Sequence, residues 1–116
     1  LRKRVKDAEA AEGHDRDAAL HQVRKAAKRL RYVAAATGEL AVAERAKAVQ
    51  ELLGEHQDSV VSRDHLLREA AAAHAAGEDT FSYGVLFARE ADLGQRCREQ
   101  LGDALKALRR SVRLAL

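Results

Sequence analysis

Apolar residues recur at spacings of three and four along most of this chain, the signature of helices that bury one face. Leu20, Val23, Ala27, Leu30 and Ala34 predict a helix from Asp15 to about Thr37, with Gly38 as its stop. A third helix is predicted from Glu39 to about Ala76, marked by Leu40, Ala43, Ala46, Val49, Leu52, Leu53, Val60, Leu66 and Leu67. Gly54 and Asp58-Ser59 offer it a place to bend. The fourth begins at Asp79 or Thr80, both good caps, and carries Phe81, Val85, Leu86, Ala88, Leu93, Leu101, Leu105, Leu108 and Val112. Before them, Leu1 to about Glu12 has helical composition and stops at Gly13-His14-Asp15, where glycine suits a C-cap and Asp15 an N-cap. Helices at about 1–12, 15–37, 39–76 and 79–115, with short connections, predict an all-α, antiparallel up-and-down four-helix bundle with long helices.

Composition supports that reading. The chain has 116 residues, enough for a single domain over 1–116. It is 47% hydrophobic but only 3% aromatic, and alanine supplies much of the apolar total. Close-packed helices fit this better than sheets, which draw on aromatic and β-branched residues. There is no proline to interrupt a helix. The alanine-rich stretch from Ala70 to Ala76 reads as close helix packing. Cys97 is the one cysteine, which excludes an internal disulfide and a cysteine-based zinc site and is expected to act as a small buried hydrophobe. No run approaches the length needed to span a bilayer and no signal peptide opens the chain, so a cytoplasmic location is expected. The start, Leu1-Arg2-Lys3-Arg4-Val5-Lys6, reads as part of a longer protein.

Charge changes the picture through its arrangement. With 21 basic and 18 acidic residues the formal net charge is only +3, which by itself implies no polyanionic partner. On a helical wheel with Leu20 at zero, the apolar set of the second helix falls between about 280° and 360°. His21, Arg24, Lys28 and Arg31 fall between about 20° and 100°, with Tyr32 and Lys25 at about 120° and 140°. The cations therefore border the core face. Like charges at i,i+3 and i,i+4 repel, and no acid occurs between Arg24 and Glu39 to relieve them. An external anion would do so; arginine forks across two phosphate oxygens and lysine supplies a mobile charge. A solvated face neutralised by Glu44, Glu51 and Glu55 of a neighbouring helix is the other reading.

The run Leu20-His21-Gln22-Val23-Arg24-Lys25-Ala26-Ala27-Lys28-Arg29-Leu30-Arg31-Tyr32 resembles the signature of the CHAD family, the conserved histidine α-helical domain, in its H-x-x-R-K-x-x-K-R-x-R-Y form. Gln50-Glu51-Leu52-Leu53-Gly54-Glu55-His56-Gln57-Asp58 resembles that family's L-Q-x-L-L-G-x-x-x-D segment. The resemblance implies a helical module that binds inorganic polyphosphate, with His21, Arg24, Lys25, Lys28, Arg31 and Tyr32 as the binding set. Arg29, at about 180° on the wheel, is its weakest member. His56 and Arg63, seven residues apart and so on one face, either join the groove or lie on its rim. Asp58 is implied as an orienting partner for His21 or an arginine, or as a local backbone cap. A complete domain of this kind resembles two four-helix halves, each with a basic helix. One such helix is present here, so the chain resembles a single half, the C-terminal one. Its second wall would come from another CHAD half or a homodimer.

No chemistry-bearing motif points to an enzyme: there is no H-E-x-x-H, Walker loop, nucleophile elbow or E-x-x-H pair. No catalytic residue, metal site or cofactor is expected. The resemblance places any catalysis in a fused domain, such as a CYTH-type triphosphate hydrolase, and allows association with polyphosphate granules. The rival functions are a general polyanion- or nucleic-acid-binding bundle and a structural dimerisation bundle. Sequence-specific nucleic-acid binding is disfavoured, because stacking platforms are scarce. The aromatics are Tyr32, Phe81, Tyr83 and Phe87.

Overall fold

The computed structural model describes residues 1–116. Four helices account for nearly all of the chain: α1 (Arg2–Ala10), α2 (Gly13–Ala36), α3 (Leu40–Ala75) and α4 (Phe81–Ala115). Close backbone packing joins α1 to α2, α2 to α3 and α3 to α4.

Two of the three predicted glycine stops are real, while α1 ends earlier, at Ala10 with Ala11 as its C-cap, and Gly13 opens α2. Gly38 and Gly77 adopt φ of +79° and +75°, the left-handed region that glycine enters without steric cost. In each case the next residue's N–H reaches five residues back, Glu39 to the Ala34 carbonyl and Glu78 to the Ala73 carbonyl, which closes a Schellman cap. At the start of α4 Thr80 is the N-cap residue, as expected, but Asp79 supplies the side-chain bond. The Asp79 carboxylate accepts the Phe81 N–H at 3.0 Å, while Thr80 makes no side-chain cap bond. Helix α2 begins at Gly13 and takes Asp15 into its first turn, so Asp15 complements the helix dipole instead of capping. Helix α3 is a single element of 36 residues across Gly54.

The core is one cluster: Val5 and Ala8 of α1, Leu20, Val23, Ala27 and Ala34 of α2, Val42, Ala46, Val49 and Leu53 of α3, and Leu101, Leu105 and Leu108 of α4. Cys97 is buried too, as a small hydrophobe would be. The molecule is a rod, 61 × 24 × 19 Å. Helices α3 and α4 set its length, since about 36 residues at 1.5 Å each make roughly 54 Å. Helix α2 covers only the first part of α3, and this exposes apolar positions that periodicity assigns to the core: Leu67, Phe81, Val85 and Leu86. Leu40, at the start of α3, is exposed as well. On α3 the buried face runs Val42, Ala46, Val49, Leu53, His56 and Ser59 at three- and four-residue spacing, turning polar at its last two members, and Ala73 is buried near the C-terminal end of the helix.

Candidate functional site

The stripe on α2 lies as the wheel places it. His21, Arg24 and Arg31 are half-buried along the edge of the core, whereas Lys25, Lys28, Arg29 and Tyr32 are exposed. The edge residues rest on α3. The Arg24 guanidinium lies over Gly54, with its Nη2 3.4 Å from the point a Cβ would occupy there. Arg31 Nη1 donates to Gln50 Oε1 at 3.1 Å, and its guanidinium sits 5.7 Å from the centre of the Tyr32 ring. His21 Nδ1 is buried without a hydrogen-bond partner.

No member of the stripe is ion-paired. The ion pairs of the molecule are Lys47–Glu51 and Arg96–Asp92, and Asp17 lies 3.8 Å from the His56 ring, which pairs with it only when protonated. Of the acids on α3 that could have neutralised the stripe, Glu51 turns to Lys47 at 3.8 Å and Glu55 lies beside Cys97 Sγ. Glu44 lines a groove of about 440 Å³ with Arg31 and Lys47 without pairing to either. Asp58 is exposed in the middle of α3, forms no hydrogen bond or ion pair with His21 or any arginine, and is too far from a helix end to cap one.

A second cationic cluster forms around His56, at the opposite end of α2 from Arg31. His56 is buried on the core face of α3, not on a rim. Its Nε2 is 3.1 Å from Arg98 Nη1, which donates to it, and 3.8 Å from Asp17 Oδ1. Burial, more than any neighbour, lowers the affinity of the ring for a proton. Asp17 opposes that effect, and Arg98, Arg63 and Arg16 add to it. Arg98 also holds its proton less tightly than an ordinary guanidinium, through burial and then through Arg16 and Arg63. Arg63 Nε donates to the Ser59 carbonyl one turn back. Ser59 Oγ in turn donates to the Glu90 carbonyl of α4.

The family comparison covers both regions on α2 and α3. A family model described as CHAD domain matches residues 1–67, which span α1, α2 and most of α3. The chain belongs to the CHAD family. Two curated relatives, proteins MT2285 and Rv2226 of Mycobacterium tuberculosis strains CDC 1551 / Oshkosh and ATCC 25618 / H37Rv, are each 63% identical over 102 residues. That stretch is 88% of this chain but 20% of each relative. No solved structure matches the chain.

Within this CHAD domain the stripe falls entirely inside the matched residues, as do Arg16, His56 and Arg63; Arg98 lies beyond them. CHAD domains are in general non-catalytic helical modules. The five histidines do not converge: no group of three or more His, Cys, Asp or Glu side chains is placed to hold a metal ion. No helix is long and apolar enough to cross a membrane. A further groove of about 640 Å³ between the start of α3 and the end of α4 gathers Arg45, Lys106 and Arg110 with Glu39. Sequence reasoning missed Arg16 and Arg98. Arg16 lies at about 320° on the α2 wheel, on the core-facing side, where a cation goes unremarked unless its partners are known.

Proposed function

We propose that this CHAD domain binds inorganic polyphosphate along the α2 stripe, with His21, Arg24, Lys25, Lys28, Arg31 and Tyr32 as its ligands and Arg29 at the margin. The observation that carries the proposal is the lack of internal neutralisation. Arg24, Lys25, Lys28 and Arg29 form no ion pair, and the α3 partner of Arg31 is a neutral amide. A row of half-fixed cations beside a core, with like neighbours at i,i+3 and i,i+4, gains most from a repeating anion that spans it. Polyphosphate has no bases to read, and a site of cationic and hydroxyl donors is sufficient for it.

The proposed scaffold is an antiparallel up-and-down bundle. The order of its cross-helix contacts supports this. Positions 17, 24 and 31 of α2 meet 56, 54 and 50 of α3, so one helix advances as the other recedes. Positions 56 and 59 of α3 meet 98 and 90 of α4 in the same sense. The stripe occupies an open flank, which suits one wall of a groove. A second CHAD half or a second copy would supply the other wall. In the longer relatives, hydrolysis by a fused CYTH-type domain and location in the cytoplasm or at polyphosphate granules belong to the same proposal.

The test is competition binding at several salt concentrations with long-chain polyphosphate, single-stranded DNA, duplex DNA and orthophosphate. Tight polyphosphate binding with a steep salt dependence, abolished in Arg24→Ala/Lys28→Ala/Arg31→Ala, is the expected result. Equal displacement by DNA would assign the stripe to polyanions in general. No binding would leave a structural dimerisation bundle, checked by the elution volume against the 12.7 kDa monomer.

A further inference from the structure

We infer that Arg16, Arg63 and Arg98 form a second anion site, separate from the stripe, that holds one phosphate-sized oxyanion between α2, α3 and α4. The inference stands on the cluster alone and does not depend on polyphosphate occupying the stripe.

Arg16 of α2 and Arg63 of α3 both lie near the half-buried Arg98 of α4. Arg63 Nη2 and Arg98 Nη1 each lie 3.6 Å from the same point, the position a Cβ on Gly94 would occupy. Arg16 is close enough to both His56 and Arg98 to weaken the hold of each on its proton. Arg16 and Arg98 together line a cavity of about 240 Å³ whose remaining wall is mostly apolar: Val5, Ala8, Leu20, Val23, Leu101 and Leu105, with Gly102. A fixed set of cations in such surroundings is poorly screened.

The cluster is under-neutralised and under-bonded. None of the three arginines forms an ion pair. Arg16 Nε and Arg63 Nη2 are buried with no hydrogen-bond partner. A buried N–H left unmade is costly, and a buried cation more so. The acids nearby are few. Asp17 of α2 lies 3.8 Å from His56 and acts on the Arg98 charge without forming an ion pair with any arginine; Glu9 of α1 lines the cavity but is exposed and unpaired; Glu55 of α3 sits with Cys97; and Glu90 of α4 contributes a backbone carbonyl to Ser59. Structural arginine clusters normally interleave with carboxylates. This one presents unused buried donors from α2 and α3 beside the Arg98 guanidinium of α4, an arrangement that suits a tetrahedral oxyanion. The group has two sources, free orthophosphate or the end of a polyphosphate chain, and both offer the same terminal oxygens.

The experiment follows the arginine Nε–H resonances of the whole chain by NMR during titration with orthophosphate, and separately with long-chain polyphosphate, against chloride at matched ionic strength. Wild type and the stripe variant Arg24→Ala/Lys28→Ala/Arg31→Ala are compared with Arg16→Gln and Arg63→Gln/Arg98→Gln. Saturable shifts of the Arg16 and Arg98 signals that persist in the stripe variant, with the Arg16 shift lost in Arg63→Gln/Arg98→Gln and the Arg98 shift lost in Arg16→Gln, are the expected result. Shifts with orthophosphate assign the free ion, and shifts with polyphosphate alone assign a chain end. Unmoved Arg16 and Arg98 signals with both probes overturn the site, as do shifts that chloride reproduces. Loss of polyphosphate binding in the stripe variant with these shifts intact separates the two sites. Arg16→Gln guards against a folding defect, because it removes a like charge and leaves the His56–Arg98 contact in place.

Discussion

The Arg24 guanidinium sits over Gly54, three of its atoms 3.4–3.6 Å from where a Cβ would project. This contact explains why a glycine sits in the middle of a 36-residue helix, where it costs about 1 kcal/mol relative to alanine. The glycine leaves room for a cation. A single methyl group would meet that cation at ordinary contact distance, whereas a longer side chain would displace it. Gly54→Ala is therefore expected to raise stability by up to about 1 kcal/mol and to leave polyphosphate affinity within about twofold. Gly54→Leu is expected to keep the fold but weaken affinity severalfold, as read by thermal melts alongside binding isotherms. Equal affinity in all three proteins would remove Arg24 from the ligands.

Much of the fold is legible in the sequence, because helix periodicity and the glycine stops act locally. Gly38 and Gly77 end helices where they are read to end them, and the α2 wheel places its cations on the core edge. What periodicity does not convey is helix overlap. Phe81, Val85 and Leu86 continue the apolar stripe of α4, yet nothing from α1 or α2 reaches far enough to cover them. The burial of His56, read as a groove or rim residue, and of Ser59, read only as part of a bend, is not legible for a related reason: their partners Arg98 and Glu90 are more than 30 residues away in the chain. The ligands of the stripe come from one helix and can be read as a motif. The arginine cluster comes from three helices and cannot.

Gly94 is the counterpart of Gly54 on α4, with a tighter fit. A Cβ there would meet Ser59 Oγ at 2.9 Å, inside the closest approach that real side chains show. Both residues are buried, so the clash has no route to solvent. Gly94→Ala is expected to destabilise by about 1–3 kcal/mol, as overpacked cores do. Ser59→Ala removes the hydroxyl and with it the clash, so the double variant is expected to recover part of the loss. Additive losses in denaturant melts of the single and double variants would refute this account of the contact.

His56 gives the fold an acid sensitivity. Its folded-state pKa is lowered from 6.5, first by burial and then by Arg98, Arg63 and Arg16 against the pull of Asp17. The unfolded chain therefore takes up a proton before the folded chain does. The contribution of His56 is fully present above pH 6.5 and is lost as pH falls from there through the lower folded value. His56→Gln retains an acceptor for Arg98 but does not titrate. Melting temperatures between pH 7.5 and 5.5 are expected to fall more steeply for the wild type than for this variant. Parallel curves would mean that the ring is not held neutral by its surroundings.

Cys97 is predicted to be a poor nucleophile. Burial raises its thiol pKa, and the Glu55 carboxylate, 3.8 Å away, raises it further by repelling a thiolate. A thiol reagent at pH 8 is expected to react at least tenfold more slowly with the folded chain than with the denatured one. Matching rates would place the thiol in solvent.

The contact between Arg31 and Gln50 offers the sharpest test of the stripe. The amide oxygen holds the guanidinium at 3.1 Å without neutralising it, so Arg31 is positioned yet keeps its full charge for a ligand. Gln50→Glu puts a carboxylate at the same place. The new ion pair is part-buried and is expected to add up to about 1 kcal/mol to stability, the upper end for pairs with solvent access. The same change competes with phosphate for Arg31 and lowers the local positive potential, so polyphosphate affinity is expected to fall severalfold and the salt dependence to flatten. Gln50→Ala removes the positioning bond but adds no charge, and its affinity is expected to fall less. If Gln50→Glu binds as tightly as the wild type, the stripe beside Arg31 is a solvated face. The fall with Gln50→Glu must exceed that with Gln50→Ala, because only the carboxylate replaces the anion that the α2 helix lacks.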